Sequence, residues 1–263
     1  MSTMITAITN QKGGVGKTTV AAALLSCLHQ QGLRVLGVDL DPQGSLGFSL
    51  GLDIEHCQTL YDVFRGAVEP QDIIAHTETC DLLPSNILLS AAELEFNKPG
   101  REFLLKTALS KVQDHYDYII IDTPPALNIL TVNAYVAADS LIIPMAPEVL
   151  SLLGVSQIKE TIGSVRSYYN SRLKVLGILL NRFNPRLNLS REMLELAEQI
   201  ATQLDTKVFE SKIHSSVSAA EAPAHGISVV DYAPRSKPAL DFFALCTEMI
   251  GPVSSPSDGS REV

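Results

Sequence analysis

Residues 10–19 read N-Q-K-G-G-V-G-K-T-T, and the fold follows from how this stretch is read. Gly13, Gly14 and Gly16 lie between two lysines, Lys12 and Lys17. Glycine lets a short loop curl until its N–H groups converge on one point, which is how a backbone cradles an anion. Residues 4–9 before the loop (M-I-T-A-I-T) are β-prone, and residues 17–31 after it are Ala/Leu-rich and predicted helical, with Gly32 at the C-terminal cap. Strand, glycine loop, helix is the context in which G-x-x-x-x-G-K-[ST] holds a nucleotide phosphate. Gln11–Thr18 departs from that pattern only at its first position, where Gln11 replaces glycine.

The chemistry of the loop follows from its residue types. Gly13, Gly14, Val15 and Gly16 offer backbone N–H groups, and the helix N-terminus adds partial positive charge. Lys17 is predicted to reach the β- and γ-phosphates, Thr18 to bind Mg²⁺ through its hydroxyl, and Thr19 to contact the α-phosphate. Lys12 occupies a position that the motif does not specify. Two ammonium groups on one small loop repel unless an anion separates them or one points away. Lys12 is therefore read either as a solvated surface charge or as a cation that reaches a phosphate outside its own loop.

Two acidic stretches complete a nucleotide site. Residues 119–125 read I-I-I-D-T-P-P, and Asp122 ends an apolar run of the kind found in central parallel strands. A carboxylate there, beside the phosphate loop, holds Mg²⁺ through its waters. Residues 38–44 read V-D-L-D-P-Q-G, with Asp39 and Asp41 two apart at the end of another strand. Alternation puts both on one side, so one can order the metal shell while the other orients or deprotonates a water. Capping of a following turn is the alternative use of this pair.

Outward from these motifs the chain alternates. Strands are predicted at 34–39, around Leu82–Leu83, and at 117–122, 140–144 and 174–180; helices at 101–115, 152–169, 188–204 and 237–250. That order predicts an α/β fold, a mostly parallel twisted sheet with helices on both faces. One domain is expected over residues 1–251. The tail from Pro252 to Val263 is Ser/Pro-rich without apolar periodicity and is expected to be disordered.

Composition excludes several classes. The 263 residues are 46% hydrophobic and 19% charged, ordinary for a globular protein. At this length folding buries roughly 70–75% of the unfolded surface. The net charge of -9 argues against an overall DNA-binding surface, which draws on basic patches. Cys27, Cys57, Cys80 and Cys246 are scattered and suggest neither a zinc site nor a disulfide framework, in keeping with a cytoplasmic location. No signal sequence or 18-residue apolar run is expected to direct the chain into a membrane.

These motifs together resemble the ParA/MinD family of deviant Walker A ATPases: K-G-G-V-G-K-T-T at 12–19, V-D-L-D-P-Q-G at 38–44 and I-I-I-D-T-P-P at 119–125. G-I-L-L-N-R-F at 177–183, A-E-A-P-A-H-G at 220–226 and Y-A-P-R-S at 232–236 resemble its ParA (Soj-like) branch. The resemblance spans nearly all of residues 1–250. It implies a P-loop NTPase fold of the deviant Walker A type, with ATP and Mg²⁺ as cofactors. It implies that Lys12 crosses a homodimer interface to the partner's phosphates when ATP is bound, a cation supplied in trans. By the same resemblance Lys17 is the P-loop lysine, Thr18 the Mg²⁺ ligand, Asp122 the Walker B carboxylate, Asp39 a support of the metal region, Asp41 the residue that activates water, and Asn181 the adenine contact. The family places cargo: ATP dimers bind DNA nonspecifically, on the nucleoid in the ParA branch, and a ParB-like partner stimulates hydrolysis and releases them. MinD relatives bind membrane through a C-terminal amphipathic helix, whereas residues 252–263 carry no apolar stripe.

One stretch departs from the family. Where relatives carry a pattern like I-P-R-N-V-R, this chain has I-H-S-S-V-S at 213–218, so both arginine positions are serines, Ser215 and Ser218. Arg186, Arg191, Lys212, Arg235 and Lys237 are candidates for a replacement basic patch, or are simply solvated charges. The alternative to a DNA-binding dimer is therefore an ATPase of the same fold that positions a protein cargo. A reductase related to the nitrogenase iron protein is disfavoured because no cysteine closely follows I-I-I-D-T-P-P. A small-molecule kinase is disfavoured by the lack of an evident acceptor site.

Overall fold

The computed structural model describes residues 3–147 and 152–251; the serine-rich tail expected to be disordered lies outside them. In chain order the elements are β1 (Met4–Ile8), α1 (Lys17–Gln30), β2 (Val35–Asp39), α2 (Ser45–Ser49), α3 (Leu60–Phe64), β3 (Ala75–His76), β4 (Asp81–Leu83), α4 (Ala92–Glu95), α5 (Leu104–Leu109) and β5 (Tyr118–Asp122). There follow α6 (Ile129–Ala137), β6 (Ser140–Met145), α7 (Leu152–Tyr168), β7 (Lys174–Leu180), α8 (Asn188–Gln203), α9 (Val217–Glu221), α10 (Val229–Tyr232) and α11 (Lys237–Ile250).

The strands form one sheet in the order β3-β4-β2-β5-β1-β6-β7. Every pairing is parallel except β3 with β4, a two-residue antiparallel edge. Period-two alternation sends the β5 side chains to opposite faces. Ile119 and Ile121 join the core under α3, α5, α6, α7 and α8, while Ile120 joins the core under α1, α10 and α11. The predicted α/β fold with helices on both faces is the one observed.

Register sets where the site lies. Ile8 of β1 pairs with Asp122 of β5, and Asp39 of β2 pairs with the same Asp122. Three adjacent strands thus end level, and the glycine loop leaves β1 at that edge. Open α/β sheets bind ligands beyond the C-terminal ends of their strands, where the chain changes direction across the sheet. Here β1 sits between β5 and β6, with β2 to one side and β7 to the other. Helix α1 stops at the expected glycine: Gly32 has φ +79, its N–H donates to the His29 carbonyl, and Leu33 N–H donates to that of Leu28. These paired bonds close the helix end.

The predicted helix at 101–115 is broken. It contains α5 flanked by single 3-10 turns at Arg101–Phe103 and Gln113–His115. Helix α6 was not anticipated. Its N-terminus is capped by Asn128, whose side-chain oxygen accepts the Leu130 and Thr131 N–H groups. Nearly all its residues are buried, so the sequence shows no amphipathic period. This helix nevertheless fixes the start of the glycine loop, because the fully buried Tyr135 hydroxyl lies 2.9 Å from Thr9 Oγ1. Replacing Tyr135 by Phe strands a buried hydroxyl on Thr9. The expected loss is about 1–2 kcal/mol of stability, read as a shifted urea midpoint with unchanged m-value.

Candidate functional site

The glycine loop is held from three directions. Asn10, the last residue before it, donates through Nδ2 to the Pro144 carbonyl (2.7 Å) and accepts the Lys12 N–H on Oδ1 (3.0 Å). Just past β7, buried Asn181 donates through Nδ2 to the Val15 carbonyl at 2.8 Å. The third hold is the Lys17 ammonium, which donates to the Lys12 carbonyl at 3.0 Å. Gly16 has φ +87, and a Cβ there would sit 2.2 Å from Asn181 Nδ2. Only glycine meets both the backbone conformation and the close approach.

The two lysines fare differently. Lys17 is 7% exposed, and burial lowers its pKa against the opposing pull of the Asp122 and Asp41 charges. Lys12 is exposed, and its ammonium has no hydrogen bond or ion pair among the described residues. The bond from Lys17 to the Lys12 carbonyl pins the backbone of Lys12 and leaves its side chain outside.

Asp122 is completely buried. Its Oδ2 accepts the Thr18 hydroxyl at 2.6 Å, while Oδ1 is buried with no partner. Burial raises the Asp122 pKa to about 7, resisted by the Thr18 hydrogen bond and the Lys17 charge. A buried carboxylate oxygen without a donor, beside a hydroxyl on the same carboxylate, fits a hard dication. Mg²⁺ prefers oxygen donors, and it uses one or two carboxylates plus phosphates and water rather than an all-protein cage. Accordingly, no group of three or more His, Cys, Asp or Glu among the described residues could hold a metal.

Asp39 is equally buried, but its oxygens are occupied. Oδ2 accepts the Leu46 and Gly47 N–H groups at the start of α2, and Oδ1 accepts the Asp41 N–H. Burial and the neighbouring Asp122 raise its pKa well above the usual carboxylate range. Asp39 therefore acts on the site through the loop it caps. Asp41 follows, half-buried in a turn, with Oδ1 accepting the Gln43 N–H. Both members of the pair thus cap backbone of the turn that follows β2.

A cleft of about 260 Å³ continues from the loop, lined by Gly16, Thr19, Asn181, Arg182 and residues 213–216 and 219–220. Arg182 holds φ +53, a rare conformation for a residue with a side chain, at the cleft wall. Ser215 is exposed, whereas Ser216 and Ser218 bond each other at 2.7 Å and Ser216 caps α9. Ser215 thus ends in solvent, and the Ser218 hydroxyl is taken up by the capping Ser216.

Residues 3–175 match the family described as AAA domain. The chain is 41% identical over 251 residues to the sporulation initiation inhibitor protein Soj of Bacillus subtilis, covering 93% of this chain and 97% of that one. The chain belongs to the ParA/MinD family of P-loop ATPases. Among solved structures it is similar to cobyrinic acid a,c-diamide synthase from Mycobacterium smegmatis with bound ADP and magnesium (37% identity, 93% and 92% of the two chains, TM-score 0.82). It is also similar to the septum site-determining protein MinD of Pyrococcus horikoshii complexed with Mg-ADP (27% identity, 95% and 96% covered, TM-score 0.76).

Within this ParA/MinD site, sequence reasoning missed the supports. Asn10 carried a signal, since an Asn before a glycine run often bonds backbone two residues on. Tyr135 and the inward use of Asn181 carried none, because both depend on which strands become neighbours.

The buried carboxylate yields a prediction with a definite sign. The Asp122 pKa is raised on folding, so the metal-free folded state holds a proton that the unfolded chain releases. Stability therefore falls as pH rises from near 4 toward 7. Asp122→Asn is expected to flatten that part of the profile, read as Tm against pH. Mg²⁺-dependent nucleotide affinity should fall about ten-fold, the scale of removing one carboxylate that would hold the ion or its water.

Proposed function

We propose that this chain is an ATP hydrolase of the ParA type that partitions or positions chromosomal or plasmid DNA. It binds ATP with Mg²⁺, pairs with a second copy while ATP is bound, and in that state grips DNA without sequence preference. A ParB-like partner stimulates hydrolysis and releases it. The observation that supports this most is the separation of the two lysines: Lys17 buried toward the loop, Lys12 exposed and unpartnered among the described residues.

The division of labour follows. When bound, Mg²⁺ neutralises charge building between the β- and γ-phosphates. Thr18 and the unpartnered oxygen of Asp122 would hold that ion, directly or through water. Loop N–H groups from Gly13 to Thr19 receive the phosphates, and Lys17 exchanges the Lys12 carbonyl for phosphate oxygens. Asp41 orients or deprotonates the attacking water. Asp39, by holding α2, ties the Asp41 turn to the strand end. Lys12 neutralises phosphate charge on the partner copy. The cleft beside Thr19 takes the nucleoside, because Thr19 faces the α-phosphate end, and Asn181 lies in its wall.

A second reading, in which the ATP-bound pair positions a protein cargo with weak or no DNA binding, rests on the lost charges. Ser215 and Ser218 contribute none, the Lys237 ammonium is paired with Asp241 at 3.0 Å, and Lys212 lies over the Phe183 ring at 5.7 Å. Each missing phosphate contact flattens the salt slope by about 0.9.

Fluorescence anisotropy on a nonspecific duplex, with ATP and then ADP, separates the two readings. ATP-dependent, salt-sensitive binding upholds the DNA reading, and no binding at low salt rejects it in favour of protein cargo. Lys12→Ala should retain nucleotide binding while losing the ATP-dependent dimer in size-exclusion chromatography with light scattering. A normal dimer in that variant would refute the role in trans. Asp41→Ala is expected to trap the dimer with turnover reduced at least about 100-fold, the scale of a lost general base.

A further inference from the structure

A second cavity, about 440 Å³, lies where α3, α4 and α5 meet. That is within the ~300–1,000 Å³ of small-molecule sites. It shares no lining residue with the glycine loop or the acidic strand ends. Its wall is aromatic. Phe64 is 7% exposed, and the half-buried Phe96 ring meets it edge-on, with centroids 6.1 Å apart at 86°. Tyr61 meets Phe96 from another side, also at 6.1 Å. Packing on two sides holds the Phe96 ring in place.

The rim is cationic. Arg65, Lys98 and Arg101 line the cavity with one carboxylate, Glu95. That carboxylate is already engaged, because its Oε2 accepts the Tyr61 hydroxyl at 2.8 Å. Arg65 lies over the Tyr61 ring, 5.3 Å from its centroid, and neither Arg65 nor Lys98 has an ion pair among the described residues. Arg101 has only its neighbour Glu102, at 3.7 Å. One turn carries both Lys98 and Arg101: the Arg101 N–H donates to the Lys98 carbonyl at 3.2 Å, and Gly100 between them holds φ +89. Buried Asn133 of α6 anchors that turn, donating to the Arg101 carbonyl and accepting the Leu105 N–H. Three cations gathered on one cavity repel each other, and an anion between them offsets that repulsion.

We propose that this cavity binds a small amphipathic anion: a flat apolar body lies against Phe96, and a phosphate or carboxylate head is held by Arg65, Lys98 and Arg101. Guanidinium forks fit either head through paired hydrogen bonds, and the doubly charged phosphate is the better match to three cations. A DNA duplex would call for an extended strip of cations. Here they ring a concave site with Glu95 and Glu102 beside them, which favours a small ligand.

The test uses the whole chain with Mg²⁺ and ADP present and 1-naphthyl phosphate as the probe in isothermal titration calorimetry. The cavity and its test stand whether or not the glycine loop binds ADP. The wild type should bind the probe with Kd below about 1 mM. Inorganic phosphate and 1-naphthol, the head and the body alone, should bind at least about ten-fold more weakly. 1-Naphthoate, with a single charge, should fall between the probe and 1-naphthol. Replacing Arg65, Lys98 and Arg101 one at a time by Gln should weaken the probe by up to about five-fold each, the range of a solvent-screened pair. The triple variant should lose at least about ten-fold at unchanged Tm, and added salt should weaken the wild type more than it weakens the triple variant. No binding of 1-naphthyl phosphate to the wild type overturns the proposal. So does equal affinity in a triple variant that melts with the wild type; if the triple variant fails to fold, equal affinity in all three single variants has the same force. A nonspecific duplex that loses affinity in these variants, while the probe binds none of the proteins, assigns the cations to nucleic acid and also overturns it.

Discussion

Two fully buried carboxylates, Asp39 and Asp122, lie side by side at the ends of adjacent strands. Removing one carboxylate from water is unfavourable, and two in register repel each other as well. The site is arranged around that constraint. Asp39 is satisfied by three backbone N–H groups, which tie the 41–47 turn to the strand end. Asp122 receives only the Thr18 hydroxyl and keeps one oxygen without a donor.

The phosphate loop shows the complementary arrangement. A positive ligand site built of backbone N–H groups gains nothing if the loop is slack, because ordering it on binding would consume the binding energy. Asn10, Asn181 and Lys17 all bond to loop backbone, and Tyr135 holds Thr9 at its entry. These supports come from four different parts of the chain: the segments just past β1 and β7, and helices α1 and α6. The loop is preorganised by the fold and not only by its glycines.

Much of this was legible in sequence where the signal is local. The run I-I-I-D marks a strand buried on both faces, and the Ala-rich stretch after Lys17 marks a helix closed at Gly32. Signals failed where burial is uniform or elements are minimal. Helix α6 is apolar nearly all round, so no stripe distinguishes it from a strand. Strand β3 has two residues and exists only because β4 offers it an edge. The stretch 101–115 reads as one helix by composition, yet it breaks into turns around α5. Among site residues, Gly16, Lys17, Thr18 and Asp122 were readable because their spacing is their mechanism. The backbone bonds of Asp39 and Asn181 were not readable, since an inward hydrogen bond leaves no trace in spacing.

The linear chain alone determined the phosphate loop, its helix, the acidic strand ends and the family, because each is a pattern of residues within a few positions of one another. Tertiary structure decided everything that depends on which strands are neighbours. It levelled Asp39 with Asp122, turned Lys17 inward and left Lys12 outside, and brought Asp241 to His214 across 27 residues. The physical reason is that charge, burial and hydrogen-bond direction belong to positions in space. The order of residues specifies those positions only through the packing of the whole sheet and its two helical layers.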